Sequence, residues 1–279
     1  MSSNLSLFSD FLAEYPLLAV LTGAGVSTAS GIPHYRDRDG AWRHAEPIQF
    51  QDFMQSESAR RRYWARSFIG WQNFSRAEPN DAHRALARLE QAGRIDTLIT
   101  QNVDGLHGRA GSRSVIDLHG DLSRVCCMSC GEVLDRREWQ ALLAAANPGF
   151  RARAVQHRPD GDVELELAGD AAFTVPTCEL CGGIIKPDVV MFGESVPKQR
   201  VRDAMAAVAR ADALLVAGSS LMVYSGFRFA RQAVQGGKPL VIVNQGRTRA
   251  DDMAGLKLDE DCGIALSALL APGPGQEIC

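Results

Sequence analysis

The stretch that decides the fold is Ile95-Asp96-Thr97-Leu98-Ile99-Thr100, which runs directly into Gln101-Asn102-Val103-Asp104-Gly105-Leu106-His107. A few residues on, the apolar run 115–118 leads into His119-Gly120 in the same manner. Polar groups that follow β-branched, apolar segments are expected where parallel strands end, which is where ligands bind in open α/β sheets. Working outward, further strand-like runs at 17–22, 114–118, 213–217 and 240–244 alternate with helical patterns such as 82–92 and 198–211. That alternation predicts an α/β chain whose parallel sheet is covered by helices. Two stretches break it. Residues 56–74 read as a helix rich in arginine and aromatics, and residues 125–185 hold cysteines around an irregular, charged segment at 147–169. Both read as insertions that form a smaller module above the sheet.

Ahead of the first expected strand end stands Gly23-Ala24-Gly25-Val26-Ser27, a turn that lets backbone N–H groups approach a pyrophosphate at a helix N-terminus. Thr28 occupies the place of the third glycine in the ordinary dinucleotide fingerprint, and no acidic residue ends a second strand about 20 residues on. Either the turn is a structural βα connection, or the nucleotide lies differently from that of a conventional dehydrogenase.

The cysteines are more specific. Cys127-Met128-Ser129-Cys130 and Cys178-Glu179-Leu180-Cys181 are two C-x-x-C pairs, each followed by glycine. Four thiolates in that spacing predict a tetrahedral, closed and therefore structural zinc site. Cys126 offers a second register, but Cys127 alone leaves two intervening residues. Disulfides are the alternative reading. Against them, Cys262 and Cys279 have no evident partners, and residues 1–15, with Asp10, Glu14 and no arginine, resemble neither a signal nor a transit peptide. The expected compartment is the cytoplasm.

A chain of 279 residues can bury a full core, and a net charge of -3 supplies no general attraction to nucleic acid or membrane. No apolar run is long enough to span a bilayer.

With these parts in order, the chain resembles the sirtuin family of NAD-dependent protein deacylases. The matching segments are 23–27, Ser30-Gly31-Ile32-Pro33-His34-Tyr35-Arg36, Gln101-Asn102-Val103-Asp104, His119-Gly120, both cysteine pairs, Gly218-Ser219-Ser220-Leu221 and Val243-Asn244. Within the family it is most similar to the class II branch that includes a mitochondrial lipoamidase and ADP-ribosyltransferase, through Arg62-Tyr63-Trp64-Ala65-Arg66, Val223-Tyr224-Ser225-Gly226 and Lys257-Leu258 ahead of Cys262-Gly263. His34 departs from the acidic residue usual at its position.

The resemblance implies a discontinuous Rossmann-like NAD domain (1–35, 80–122, 186–279), a cofactor loop with a helical module (36–79), and a zinc-ribbon module (123–185). It also implies roles. His119 becomes the general base, Asp104 faces the nicotinamide carboxamide with Ile32 as its apolar wall, and Asn102 and Gln101 bind ribose hydroxyls. Gly23, Ala24 and Gly25 meet the pyrophosphate, while Tyr35 and Arg36 belong to a loop that closes over nicotinamide. Gly218, Ser219, Ser220 and Asn244 take the adenine-side ribose, and Cys262 meets adenine through its backbone. Val190, Met191, Phe192 and Gly193 would pair with an acyl-lysine peptide by strand addition. Tyr63 and Arg66, three apart on one helical face, would hold the carboxylate of an acidic acyl group. His107, His44, His83 and His157 read as ordinary packed or surface histidines.

Three rivals remain at this stage. The same site could transfer ADP-ribose to a protein, or the chain could be an idle NAD or ADP-ribose sensor. A zinc-ribbon nucleic-acid binder is disfavoured by the mixed charge of residues 121–135.

Overall fold

The computed structural model describes residues 3–35, 37–39, 41, 47–167 and 173–269. Its strands are β1 (Leu18–Thr22), β2 (Ile95–Thr100), β3 (Val115–Asp117), β4 (Gly120–Cys127), β5 (Val133–Asp135), β6 (Ala152–His157), β7 (Val163–Leu167), β8 (Ile185–Val189), β9 (Ala213–Ala217), β10 (Leu240–Val243) and β11 (Leu256–Leu258). Its α-helices are α1 (Ser3–Glu14), α2 (Phe50–Gln55), α3 (Glu57–Phe74), α4 (Asp81–Gln91), α5 (Leu106–Arg109), α6 (Arg136–Ala146), α7 (Lys198–Arg210), α8 (Tyr224–Gln235) and α9 (Cys262–Ala268).

Six strands form one sheet in the order β11-β10-β9-β1-β2-β3, every neighbouring pair parallel. The chain leaves the centre in both directions from β1, so the switch point lies between β1 and β9. A strand covered on both faces must be apolar throughout, and β1 and β9 are buried at every residue. Leu18 and Val20 pack on one face with α1, α4 and α9, while Ala19 and Leu21 pack on the other with α7 and α8. This is the expected α/β sheet. The five strands expected from sequence end within a residue or so of their places, whereas β11 was not expected; Leu118 and Asn244, just outside their strands, still donate their N–H groups to the Thr100 and Leu258 carbonyls.

The second layer has its own core. Tyr63 and Trp64 of α3, Val125 of β4, Trp139 and Leu143 of α6, Phe150, Phe173 and Ile185 form one cluster. Arg136 is buried there with its guanidinium 5.3 Å and 4.9 Å from the Trp64 and Trp71 rings, and it donates to Ser67 Oγ at 3.2 Å. Cation–π faces and a hydroxyl thus replace the water that this charge has lost.

One expectation is corrected. Residues 147–169 are not irregular throughout, because β6 and β7 form an antiparallel hairpin closed by Arg158 N–H on the Asp162 carbonyl at 2.8 Å. The alternation Val163-Glu164-Leu165-Glu166-Leu167 carries the period of a half-buried strand.

Candidate active site

A cavity of about 1290 Å³ lies across the carboxyl ends of β1, β2, β9 and β10, reaching Gly23, Gln101, Gly218 and Asn244. At the switch point two turns touch. Gly25 donates its N–H to the Gly218 carbonyl at 2.8 Å, and a Cβ on Gly25 would lie 2.8 Å from the Gly218 Cα. Gly218 also has a φ of +63°. Neither position admits a side chain. The 3-10 helix Ala24–Ser30 follows at once, with Ala24 and Gly25 on the cavity wall.

Asp104 stands at the centre of a buried network. Its Oδ1 accepts from Leu106 N–H at 2.9 Å, and its Oδ2 accepts from Ser27 Oγ at 2.7 Å. Asn102 Nδ2 donates both to Ser27 Oγ and to the Gly23 carbonyl at 3.1 Å. Behind them, His83 Nδ1 accepts from Asn80 N–H at 3.3 Å, so the ring proton sits on Nε2, 3.4 Å from Ser27 Oγ. Burial raises the Asp104 carboxyl above its ordinary range, against the opposing pull of Leu106 N–H and Ser27. Ile32 is buried on the same wall.

His119 follows β3 and also faces the cavity. Its Nδ1 lies 2.9 Å from the Gln101 carbonyl, which can only accept, so Nδ1 carries the proton and Nε2 presents a lone pair. Burial above all lowers its pKa, the Gln101 carbonyl raises it, and Arg200 and Arg228 lower it further. The imidazole is therefore neutral and basic at Nε2 near pH 7. Gln101 is itself clamped, with Nε2 donating to Ser219 Oγ at 2.8 Å and to the Thr22 carbonyl at 3.2 Å.

Val190 donates its N–H to the His119 carbonyl at 2.7 Å, and on the other side the Phe192 carbonyl accepts from Phe50 N–H at 2.7 Å. Met191 and Gly193 complete this wall, with Tyr35 edge-on to Phe192 at 6.2 Å and His34 nearby on the lining. Ser220 and Asn244 line the cavity at the β9 and β10 strand ends. Cys262 is buried there, its thiol 3.6 Å from the Val243 carbonyl and pushed up to about 12 by burial. Arg36 lies outside the described residues, as does His44.

The structure separates Tyr63 from Arg66. Tyr63 reaches the cavity with its ring packed on Phe53 and Trp64. Arg66 instead turns to the hairpin, where its guanidinium pairs with Asp162 and donates to the Val163 carbonyl at 2.9 Å. From the hairpin turn, Asp160 comes to the cavity wall beside Tyr63.

In the second layer, Cys127, Cys130, Cys178 and Cys181 bring their four Sγ atoms within 4.8 Å of one another. The Cys127–Cys181 and Cys130–Cys178 separations are 3.5 and 3.7 Å. Zinc–sulfur bonds of about 2.3 Å in a tetrahedron require sulfurs roughly 3.8 Å apart, so the donor set fits zinc. Among the described residues every cysteine is free of disulfide. Cys127 belongs to the cluster and Cys126 does not, which resolves the register.

Ser27, His83 and Ser225 were not singled out by sequence, yet Ser27 and Ser225 hydrogen-bond Asp104 and His119, and His83 hydrogen-bonds Ser27. The signal available was weak: a serine inside the glycine turn, a histidine three residues after the helix-capping Asn80, and a serine in Val223-Tyr224-Ser225-Gly226.

Comparison with known proteins gives a consistent result. A Sir2 family model matches residues 23–225. The chain is 56% identical over 268 residues to an NAD-dependent protein deacetylase 2 of Bradyrhizobium diazoefficiens, covering 96% of this chain and 98% of that one. It is 45% identical over 273 residues to the NAD-dependent protein deacylase Sirt4 of Drosophila melanogaster, covering 96% and 87%. A solved Sir2–p53 peptide–NAD+ complex superposes with a TM-score of 0.79 at 33% identity, covering 95% of this chain and 97% of that one.

Proposed function

The chain belongs to the Sir2 family, and from that premise we propose that it removes acyl groups from protein lysines in an NAD-dependent reaction. The observation that carries this reading is the presence, in one cavity, of a neutral histidine whose Nε2 carries a lone pair and of a half-buried carboxylate network built on Asp104.

When bound, NAD supplies the glycosidic bond that breaks, nicotinamide as leaving group, and the ribose hydroxyl from which a proton must be taken. The donor set suits it, with hydroxyls and amides of Ser219, Ser220, Asn244, Gln101 and Asn102 at the strand ends and apolar Ile32 beside Asp104. Asp104 would hold the carboxamide, while Gln101 and Asn102 would hold ribose hydroxyls. Gly23, Ala24 and Gly25 would approach the pyrophosphate, with Arg36 as its expected charge partner. Gly218 and Cys262 border the adenine side. Tyr35 and Ile32 exclude water from the nicotinamide end. With NAD bound, His119 Nε2 would serve as general base for a ribose hydroxyl. Residues 190–193 hold the acyl-lysine peptide by main-chain pairing. A zinc ion held by the four cysteines would keep the second layer in shape and, with all four positions filled by thiolates, would leave no site for the chemistry.

The acyl group favoured is longer than acetyl and includes acidic ones. Support comes from the continuation of the cavity to Tyr63 and from Arg66 one turn further along α3, where a substrate carboxylate would compete with Asp162 for the guanidinium. The four clustered thiols support a reducing, cytoplasmic setting.

The test is to incubate the protein with NAD labelled in the adenosine half and a panel of acyl-lysine peptides. Label recovered as 2'-O-acyl-ADP-ribose, in step with nicotinamide release, supports deacylation. Label attached covalently to protein would support ADP-ribosyl transfer instead, and no turnover of NAD would support a sensor.

A further inference from the structure

His119 Nε2, the atom assigned to receive the ribose proton, does not face an open cavity alone. Ser225 Oγ lies 2.8 Å away. Because the Gln101 carbonyl fixes the imidazole proton on Nδ1, the hydrogen bond runs one way, from the Ser225 hydroxyl to Nε2. Ser225 is the second residue of α8, and the helix is held there tightly. A Cβ on the next residue, Gly226, would lie 2.3 Å from Gln101 Oε1, so the absence of a side chain at 226 lets α8 press its first turn against Gln101 and His119. Gln101 thus holds the imidazole through its carbonyl and, through its side chain, sets how closely α8 approaches at Gly226. Ser225 is half-buried and lines the cavity, so its hydroxyl faces both the imidazole and the space where substrate is held. A hydroxyl that donates one hydrogen bond retains two lone pairs to accept another.

We propose that Ser225 is the proton carrier between the ribose hydroxyl and His119, a catalytic residue of the deacylation half of the reaction. The ribose O–H donates to Ser225 Oγ, whose own proton moves to His119 Nε2. The ribose O–H and the original serine O–H break, a new serine O–H and an Nε2–H form, and the positive charge ends on the imidazolium. The ribose oxygen keeps its electron pair for attack on the acyl carbon. Serine is regenerated in the same step. This rests on the deacylase reading above.

Two measurements test it with Ser225→Ala, a change to a good helix former that removes only the hydroxyl. The first compares acyl-dependent nicotinamide exchange, which precedes the base, with deacylation. The expected result is a loss of about 10²-fold in deacylation with exchange retained, the scale of a positioned proton-transfer group. Unchanged or faster deacylation would mean that substrate merely displaces the hydroxyl, and equal loss of both steps would mean a packing role. Either result overturns the proposal. The second reads the His119 imidazole by NMR titration of the ligand-free protein. Losing a donor to Nε2 destabilises the neutral ring, so its titration should move upward in Ser225→Ala, with Arg200 of α7 and Arg228 of α8 still opposing protonation. An unmoved titration also overturns it. Wild-type protein without nicotinamide exchange would sink the deacylase reading, while the titration would still decide the hydrogen bond.

Discussion

Ser27 Oγ donates to Asp104 Oδ2 at 2.7 Å, and that single hydroxyl connects the carboxylate at the cavity wall to a histidine buried behind it. Ser27 is fully used, accepting from Asn102 and His83 while donating to Asp104. Buried groups in such a network are costly to orphan.

Ser27→Ala should therefore lose about 1–3 kcal/mol of stability, the penalty for leaving buried polar partners unsatisfied. Nicotinamide release should fall along with it, because Asp104 loses its nearest orienting donor. Urea unfolding and an exchange assay check both. A variant as stable and as active as wild type would dissolve the network's role.

His83 makes the network pH-sensitive. Burial, and secondarily Arg84, push its pKa down to about 4 from the ordinary 6.5. The unfolded chain therefore binds more protons than the folded one between those values, and the stability fully present above pH 6.5 is lost as pH falls toward 4. His83→Gln should flatten the slope of unfolding free energy over that window, while the glutamine at the third helical position can still accept from Asn80 N–H. Parallel curves for the two proteins would place the acid sensitivity elsewhere.

Cys178→Ala should lose the metal and much of the order of the second layer, since structural zinc contributes on the order of 10 kcal/mol of apparent folding free energy in small peptides. Metal analysis of the purified variant, with circular dichroism near the tryptophan bands, reports the outcome. One zinc per chain bound to a fully active variant would rule out this ligand set.

Arg66→Met should lower kcat/KM about ten- to hundred-fold on a glutaryl-lysine peptide and leave acetyl-lysine little changed, the loss of a charge-assisted hydrogen bond. The variant also leaves Asp162 to Arg158 at 3.6 Å, so thermal unfolding must accompany the kinetics. Equal losses on both peptides would mean that Arg66 serves the hairpin through Asp162 and does not read the acyl group.

What could be read in the sequence follows from what is local in it. Buried parallel strands are continuous apolar runs, so 18–22 and 213–217 stood out, and a C-x-x-C pair names its own geometry. Strand ends carried the site as well: Gln101, Asn102, Asp104 and His119 all reach the cavity. Unread was whatever depends on distant partners. Ser225 meets His119 across 106 positions and His83 meets Ser27 across 56, with no periodicity to mark either pair. Tyr63 and Arg66 share a helical face by spacing, but nothing in that spacing announces Asp162, 96 positions from Arg66, which pairs with its guanidinium across the hairpin.

The most direct measurement of the account as a whole is the ratio of lysine uncovered to nicotinamide released, taken for wild type and for His119→Ala. The wild type should give one to one. In His119→Ala, deacylation should fall by about 10²- to 10⁴-fold, the usual contribution of a positioned general base, while NAD binding measured by calorimetry persists. Near-normal deacylation by His119→Ala, or nicotinamide release by the wild type with no lysine uncovered, would contradict it.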